Sequence, residues 1–386
     1  MNTHNVAVIG TGYIGVVHIE QLMRMPNVRI TGIADKNPQL AAGVAAKYGI
    51  PKVYGTAQEA MADPDVQVIH NCTPSSSHFD ISKQAIEAGK QVLSEKPLAL
   101  DARQSAELVR LAKAHNTVTG VNFCYRYYPV VQEAAVRVRK GDIGAFYNVM
   151  GCYLQDWLLH ETDYSWRLDP AFAGESNIIG DLGSHWCDLA QFISGHKITE
   201  VMAEMRTILP VRKRPKSSET LTFAVASDVE YEDVNIELDE YGSMLLRFDN
   251  GATGTFTTSQ LAAGRKCTID IQVYGSKGSL AWNHERSAEM WLGFRDQANQ
   301  IFIESPILQD ESTRRYDRLP SGHPMGHFDA VLNLFSDYYE AVDLKIEGKQ
   351  SDRDRPDFEA GHTEMLVLDA AIRSRKSDTW AKVAAE

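Results

Sequence analysis

Short apolar runs bounded by turn residues alternate with stretches of helical period through the first third of the chain. Residues 6–9 read as a buried strand, followed by a glycine turn and a helix near 13–25. The pattern then predicts a strand over 28–34 ending at Asp35, a helix over 38–48 and a strand over 66–72. A helix over 79–88 closes on Gly89 as its C-cap, and a strand over 91–94, a helix over 102–115 and a strand over 118–123 follow. Such alternation predicts a parallel sheet covered by helices on both faces.

After about residue 129 the pattern changes. A helix over 130–140 precedes strand-like pieces over 145–154, 200–209, 234–237, 243–248, 252–259, 268–274 and 279–282. Their connections carry turn sequences such as Asp249-Asn250-Gly251 and Gly275-Ser276-Lys277-Gly278, which predicts mainly antiparallel sheet. Helices return near 328–346 and 361–374. A chain of 386 residues exceeds one ordinary core. The expected division is an α/β domain over 1–125 and an α+β domain with a large open sheet over 126–386. The segment 210–219 is basic and broken by proline, and is expected to be an exposed loop.

Composition narrows the function. Hydrophobic content of 44% and charged content of 23% suit a soluble globular protein. A net charge of -12 argues against nucleic acid as a partner, since phosphate binding needs a basic surface. It leaves room for an anionic cofactor held by local dipoles. No apolar run reaches a membrane span, and the N-terminus runs straight into a strand without a signal core. The five cysteines have wide spacings and no zinc pattern, so the expected setting is a reducing cytoplasm.

Gly10-Thr11-Gly12-Tyr13-Ile14-Gly15 follows a strand and opens a helix. Gly10 permits the tight turn, Gly12 lets backbone approach a pyrophosphate, and Gly15 lets helix and strand pack closely. Tyr13 and Ile14 lie at the helix N-terminus, where N–H groups and dipole favour phosphate. Asp35 ends the second strand, where a carboxylate accepts ribose hydroxyls and repels a 2′-phosphate. It favours NAD over NADP, although Lys36 softens the repulsion; the plainer alternative for Asp35 is a turn residue capping a helix. Thr73 and Pro74 follow the third strand and are expected on the cofactor side, with His78 in support.

Lys96 follows a strand and precedes Pro97, which aims it from the carboxyl edge of the sheet. A cation there stabilises an alkoxide, and Glu95 is placed to hold it. Asp181 and His185 are four apart and share a face if helical. The ordinary imidazole pKa of about 6.5 suits proton transfer near neutrality. Asp181 would order the ring or bind a substrate hydroxyl, and Asp188, one turn beyond, is expected to be structural.

The set Gly10–Gly15, Glu95-Lys96-Pro97 and Asp181-x-x-x-His185 resembles the glucose-fructose oxidoreductase / inositol 2-dehydrogenase (Gfo/Idh/MocA) family. Asn122-Phe123-Cys124-Tyr125-Arg126-Tyr127-Tyr128-Pro129 is similar to its segment joining two domains, and Tyr274–Ser279 to its glycine turn in the large sheet. The resemblance implies a Rossmann domain followed by an α+β domain whose mostly antiparallel sheet often builds a homodimer or homotetramer. It implies Lys96, Asp181 and His185 as the catalytic trio, with NAD as cofactor and a sugar, sugar derivative or cyclitol as substrate. A polyol pocket collects polar and aromatic groups, and Arg126, Tyr153, Asp156, Trp157, Trp166 and Arg167 are candidates for it, beside Lys96, Asp181 and His185. The stretch 157–170 resembles members associated with sugar catabolism, whereas 210–233 looks longer than in compact relatives. His323, His327 and His362 have no metal-ligand spacing, and no metal is expected. Two alternatives stay open: an NAD-retaining glycosidase working by transient oxidation and elimination, and a non-catalytic NAD-responsive binding protein.

Overall fold

The computed structural model describes residues 2–216 and 230–384. Contacts divide the chain into two units, one running to Tyr127 and taking in Gly326–Met365, the other comprising Tyr128–Met325 and the chain from Leu366 on. Residues 326–365, expected within the second domain, therefore pack with the first.

The first unit holds β1 (His4–Ile9), α1 (Tyr13–Met23), β2 (Val28–Ala34), α2 (Pro38–Tyr48), β3 (Val53–Tyr54) and α3 (Ala57–Ala62). It continues with β4 (Val68–Asn71), α4 (His78–Glu87), β5 (Gln91–Ser94), α5 (Ala102–Ala114) and β6 (Thr119–Val121). The six strands form one sheet in the order β3-β2-β1-β4-β5-β6, all pairs parallel. Val6, Ala7 and Val8 are all buried, as a strand covered on both faces requires. Side chains start the helices where backbone donors have no partner: Asn37 accepts from Gln39 and Leu40 N–H, Thr56 from Glu59 and Asp101 from Gln104. The chain leaves α2 through Gly49 at φ +65°, a left-handed residue. Strand order reverses between β1 and β4, which opens a crevice at their carboxyl ends. The C-terminal helices α9 (His327–Ile346) and α10 (Phe358–Ser377) supply the cover, with α10 beginning in this unit. A Cβ on Gly120 would come 2.9 Å from the Tyr338 ring, so α9 lies close against β6.

The second unit begins with α6 (Pro129–Lys140), β7 (Phe146–Leu154), α7 (Pro170–Ala173) and α8 (Ser184–Ser194). Strands β8 (Ile198–Arg206), β9 (Val211–Pro215), β10 (Tyr231–Asn235), β11 (Tyr241–Phe248), β12 (Thr253–Ser259), β13 (Thr268–Gly275) and β14 (Ser279–Asn283) follow, then β15 (Glu289–Gly293), β16 (Gln300–Ile303) and β17 (Ala381–Lys382). Nine of them form a sheet in the order β16-β15-β14-β13-β7-β12-β11-β8-β17, antiparallel except for the β7–β12 pair. Period two divides its faces. One cross-strand row, Ala203, Met244, Phe256, Gly151, Ile271, Trp282, Met290 and Phe302, points inward, and all but Gly151 are buried. The neighbouring row, Met202, Leu245, Thr255, Met150, Gln272, Ala281, Trp291 and Ile301, points outward. Helix α8 lies on the inward face. Trp186 stacks on Phe256 at 4.6 Å and donates Nε1–H to Asp270 O at 2.9 Å. Only glycine fits at 151, where a Cβ would meet Asp270 O at 1.9 Å.

The segment expected as the basic loop 210–219 is a strand where it is described. Val211–Pro215 pairs antiparallel with β10, because Arg212 turns inward to a buried carboxylate and the alternate residues face solvent. Residues 217–229 of that expectation, and of the longer 210–233 segment, lie outside the described residues. The short elements β3, α3, β15, β16 and β17 carry too few residues for a periodic signal. Among the described residues no helix is long and apolar enough to cross a membrane.

Candidate functional site

One group of candidate residues sits at the carboxyl ends of β1, β4 and β5, within the first unit. Gly10, at φ +92°, turns the chain directly after β1, and a Cβ there would come 2.5 Å from Cys72 O. A Cβ on Gly15 would lie 2.0 Å from Gly10 O, so helix and turn touch backbone to backbone. Gly12 meets nothing within 4 Å and starts α1 with no side-chain cap. Tyr13 is exposed, whereas Ile14 is half-buried. The glycines thus leave an open N-terminus with a positive dipole end, which fits a dinucleotide pyrophosphate. Asp35 braces this turn: Oδ2 accepts from Thr11 N at 2.6 Å and Thr11 Oγ1 at 2.9 Å, and Oδ1 from Asn37 N at 2.8 Å. A half-exposed carboxylate has lone pairs left for ribose hydroxyls, so this bracing is compatible with an NAD site.

The loop after β4 is tied to the turn after β5. Asn71 Oδ1 accepts from Thr73 Oγ1 at 2.7 Å. Buried His78 lies with Nε2 2.7 Å from Thr73 O and Nδ1 2.6 Å from Pro97 O. Burial pushes its imidazole below the ordinary range, against the two carbonyls, which act the other way. His78 therefore joins Thr73–Pro74 to Lys96–Pro97, a supporting position. Lys96 is half-buried, two residues beyond β5, and its bond to Pro97 is cis. Glu95 beside it is buried. Burial raises the Glu95 carboxyl, but His18, the Asn122 amide and the Lys96 charge outweigh that and hold it below the usual range. Neither His18 nor Asn122 is legible as a site residue from spacing, because each reaches Glu95 from a different element. Arg126, a substrate candidate, is buried in this unit and has Asp354 Oδ1 3.6 Å away.

A separate group of candidate residues lies in the second unit. Residues Ile179–Gly183 form a π-helical turn that feeds α8, so Asp181 lies in the wide turn and His185 in the first turn of α8. This differs from the uniform α-helical pair expected from their spacing. Such insertions recur at functional sites because they re-aim side chains. Asp181 Oδ1 is 3.1 Å from Arg167 Nε, and Oδ2 accepts from Gln260 Nε2 at 3.3 Å. Gln260 is buried and in turn accepts from Asn177 Nδ2 at 2.6 Å. No sequence signal pointed to Gln260, which reaches Asp181 only through the β12 fold. The Arg167 guanidinium lies over the Trp166 ring at 4.5 Å. His185 is buried with its ring 6.3 Å from that of Tyr153, whose hydroxyl is 3.4 Å from Cys267 Sγ. Trp157 donates Nε1–H to Lys266 O at 3.2 Å. Asp156 is engaged with Lys266 at 2.6 Å, which holds its carboxyl below the usual range, and Asp188 is buried within α8.

The loop that carries Trp157 and Trp166 hangs on a residue not singled out from the sequence. Arg212 is fully buried; it pairs with equally buried Glu240 and donates to the carbonyls of Leu158, His160 and Asp163 at 2.7–2.9 Å. Glu240 Oε2 accepts from Ile208 and Leu209 N–H.

Comparison with known proteins gives the following. The oxidoreductase family with an NAD-binding Rossmann fold (GFO/IDH/MocA) matches residues 4–123, and the GFO/IDH/MocA C-terminal domain matches residues 131–281. A levoglucosan dehydrogenase of Pseudarthrobacter phenanthrenivorans is 29% identical, over 99% of each chain. A levoglucosan dehydrogenase solved with NADH and L-sorbose superposes with a TM-score of 0.89 at 28% identity, covering 100% of both chains. An NAD-binding oxidoreductase from Klebsiella pneumoniae superposes with a TM-score of 0.83 at 30% identity, again over 100% of both.

Proposed function

This chain belongs to the GFO/IDH/MocA family of NAD-binding oxidoreductases, and we propose that it moves a hydride between a secondary alcohol of a sugar, sugar derivative or cyclitol and NAD(H). One observation carries the reading: an uncapped glycine turn at the β1 end stands in the same strand-end row as half-buried Lys96 after β5. That row is where an open parallel sheet binds its ligand. The levoglucosan dehydrogenases among its relatives support a sugar-like substrate.

Gly10, Gly12, Tyr13, Ile14 and Gly15 would hold the pyrophosphate, Asp35 the adenosine ribose, and Thr73 and Pro74 the nicotinamide side, with His78 and Glu95 behind them. Bound nicotinamide supplies the hydride acceptor. In this proposal His185 takes the hydroxyl proton at Nε2, since its Nδ1 is buried. Lys96 Nζ stabilises the oxygen as negative charge develops, and a charge-assisted hydrogen bond in a dry site is strong enough for this role. Asp181, already held by Arg167 and Gln260, presents a fixed carboxylate to the imidazole or to a second substrate hydroxyl. Tyr153, Trp157, Trp166, Arg167 and Arg126 would line the sugar. No metal is assigned a part.

We also infer a homodimer or homotetramer built on the outward sheet row, where Met150, Leu245 and Ile301 are 41%, 48% and 54% exposed. A cytoplasmic setting fits the five free cysteines. The test is an NADH-absorbance screen over sugars, inositols and glycosides with NAD and with NADP. Turnover of at least one polyol, faster with NAD, is expected. A protein that binds NAD yet oxidises none of them, with no reverse reaction on the ketones, overturns the proposal.

A further inference from the structure

Behind Glu95 runs a buried chain of side chains that the mechanism does not use. His18 Nε2 is 2.9 Å from Glu95 Oε1, and His18 Nδ1 is 2.9 Å from His70 Nδ1. His70 Nε2 is 2.9 Å from Tyr339 Oη. All three are essentially inaccessible to water, and all belong to the first unit. They come from α1, β4 and α9.

Proton bookkeeping fixes the direction. Three hydrogen bonds need three protons, one in each. Among the described residues Tyr339 Oη has no other partner, so its proton goes to His70 Nε2. His70 is then protonated at Nδ1 and donates to His18 Nδ1. His18 carries its proton on Nε2 and donates to Glu95. Asn122 Nδ2 donates to the same oxygen at 2.5 Å, and Lys96 N–H to Oε2 at 3.3 Å. Every arrow ends on Glu95. Reversal would strand the buried Tyr339 proton and turn the His18 lone pair onto a carboxylate, each at the cost of an unmade buried hydrogen bond.

We infer that Tyr339, His70 and His18 are positioning residues for the reaction: a one-way hydrogen-bond chain that keeps Glu95 a carboxylate beside Lys96. This rests on Lys96 acting at the reacting oxygen. The other groups facing the chain leave its direction unchanged. His4 lies tilted against the Tyr339 ring at 5.3 Å but bonds Asp343, Tyr338 Oη lies 3.5 Å from Val118 O, His78 binds two carbonyls, and Cys72 is a buried thiol. Burial keeps His70 neutral and Tyr339 a phenol, in agreement with the assigned tautomers.

The test uses full-length protein with ¹⁵N-histidine and long-range proton–nitrogen correlation near pH 7. Wild type is expected to show His70 protonated at Nδ1 and His18 at Nε2. Tyr338→Phe, which removes a neighbouring phenol outside the chain, keeps that pattern. Tyr339→Phe mixes or reverses both tautomers and raises the Glu95 carboxyl titration, followed by ¹³C, by about one unit. Wild-type His70 protonated at Nε2, or identical spectra for the two tyrosine variants, overturns the inference. Should Tyr339→Phe fail to fold, the wild-type tautomers decide alone. Normal turnover by Lys96→Ala would sink the catalytic role of Lys96 while leaving the tautomers as they are, so the two failures are separable.

Discussion

At the scale of single residues, the site divides into groups whose identity matters chemically and groups that hold them still. His185 is proposed as the base, and general base catalysis contributes about a hundredfold to ten-thousandfold. His185→Asn is therefore expected to lower kcat by about that range in steady-state assays. NAD affinity, read by fluorescence titration, should stay at the wild-type value, because the proposal gives His185 the substrate hydroxyl and not the pyrophosphate. Near-normal turnover would remove His185 from the role. Asp181 is a different case. Its partners Arg167 and Gln260 come from separate elements, so its placement is a tertiary property although its presence is a sequence one.

Single elements show which charges matter. Arg212 and Glu240 are both fully buried, and Arg212 also holds three loop carbonyls. Removing one partner of such a pair strands a charge, which costs roughly 3–5 kcal/mol. Arg212→Met should lower the urea midpoint accordingly and loosen the loop from Leu158 to Arg167. Two residues along the same strand, Arg214 pairs with Glu232 in solvent. Screening and side-chain entropy cancel most of that attraction. Arg214→Met should leave the unfolding midpoint unchanged; equal effects of the two substitutions would contradict the account.

For the whole molecule, two consequences follow from what is buried and what is not. Burial lowers the proton affinity of His70, His78 and His362, all in the first unit. The unfolded chain regains their ordinary affinity near pH 6.5, so below that it binds more protons than the folded state. Stability should thus be level above about pH 7 and fall as pH drops through 6.5. The slope has a ceiling of about 1.4 kcal/mol per pH unit for each proton taken up. Thermal melts between pH 8 and pH 5 check this, and His70→Gln should flatten the slope. A stability that rises on acidification would refute it. The second consequence concerns the outward sheet row. If that row builds the oligomer we propose, Leu245→Glu, on β11 next to the row's end at β8, should shift the protein to a smaller species in light scattering after gel filtration without changing the monomer fold.

Much of the first unit could be read in the residues themselves. The strands around 28–34 and 91–94 and the helix over 38–48 are found where the pattern predicts them, since each strand carries a short buried run, Gly32–Ala34 and Val92–Ser94, and a helix start needs its cap. The glycine turn was legible because Gly10 and Gly15 stand where a Cβ would strike backbone, while Gly12 leaves the helix start open. The basic stretch after residue 210 misled, because whether an arginine faces water or a buried glutamate depends on what lies across the strand. The π turn at Asp181, the return of residues 326–365 to the first unit, and the line from Tyr339 to Glu95 left no local trace. Local composition and spacing determined the elements and the reactive groups, because those follow from backbone sterics and side-chain chemistry within a few residues. Tertiary structure alone decided which histidines are buried and which carboxylates are braced. Those outcomes depend on desolvation and on partners hundreds of positions away, as with His70 and Tyr339, at a sequence separation of 269.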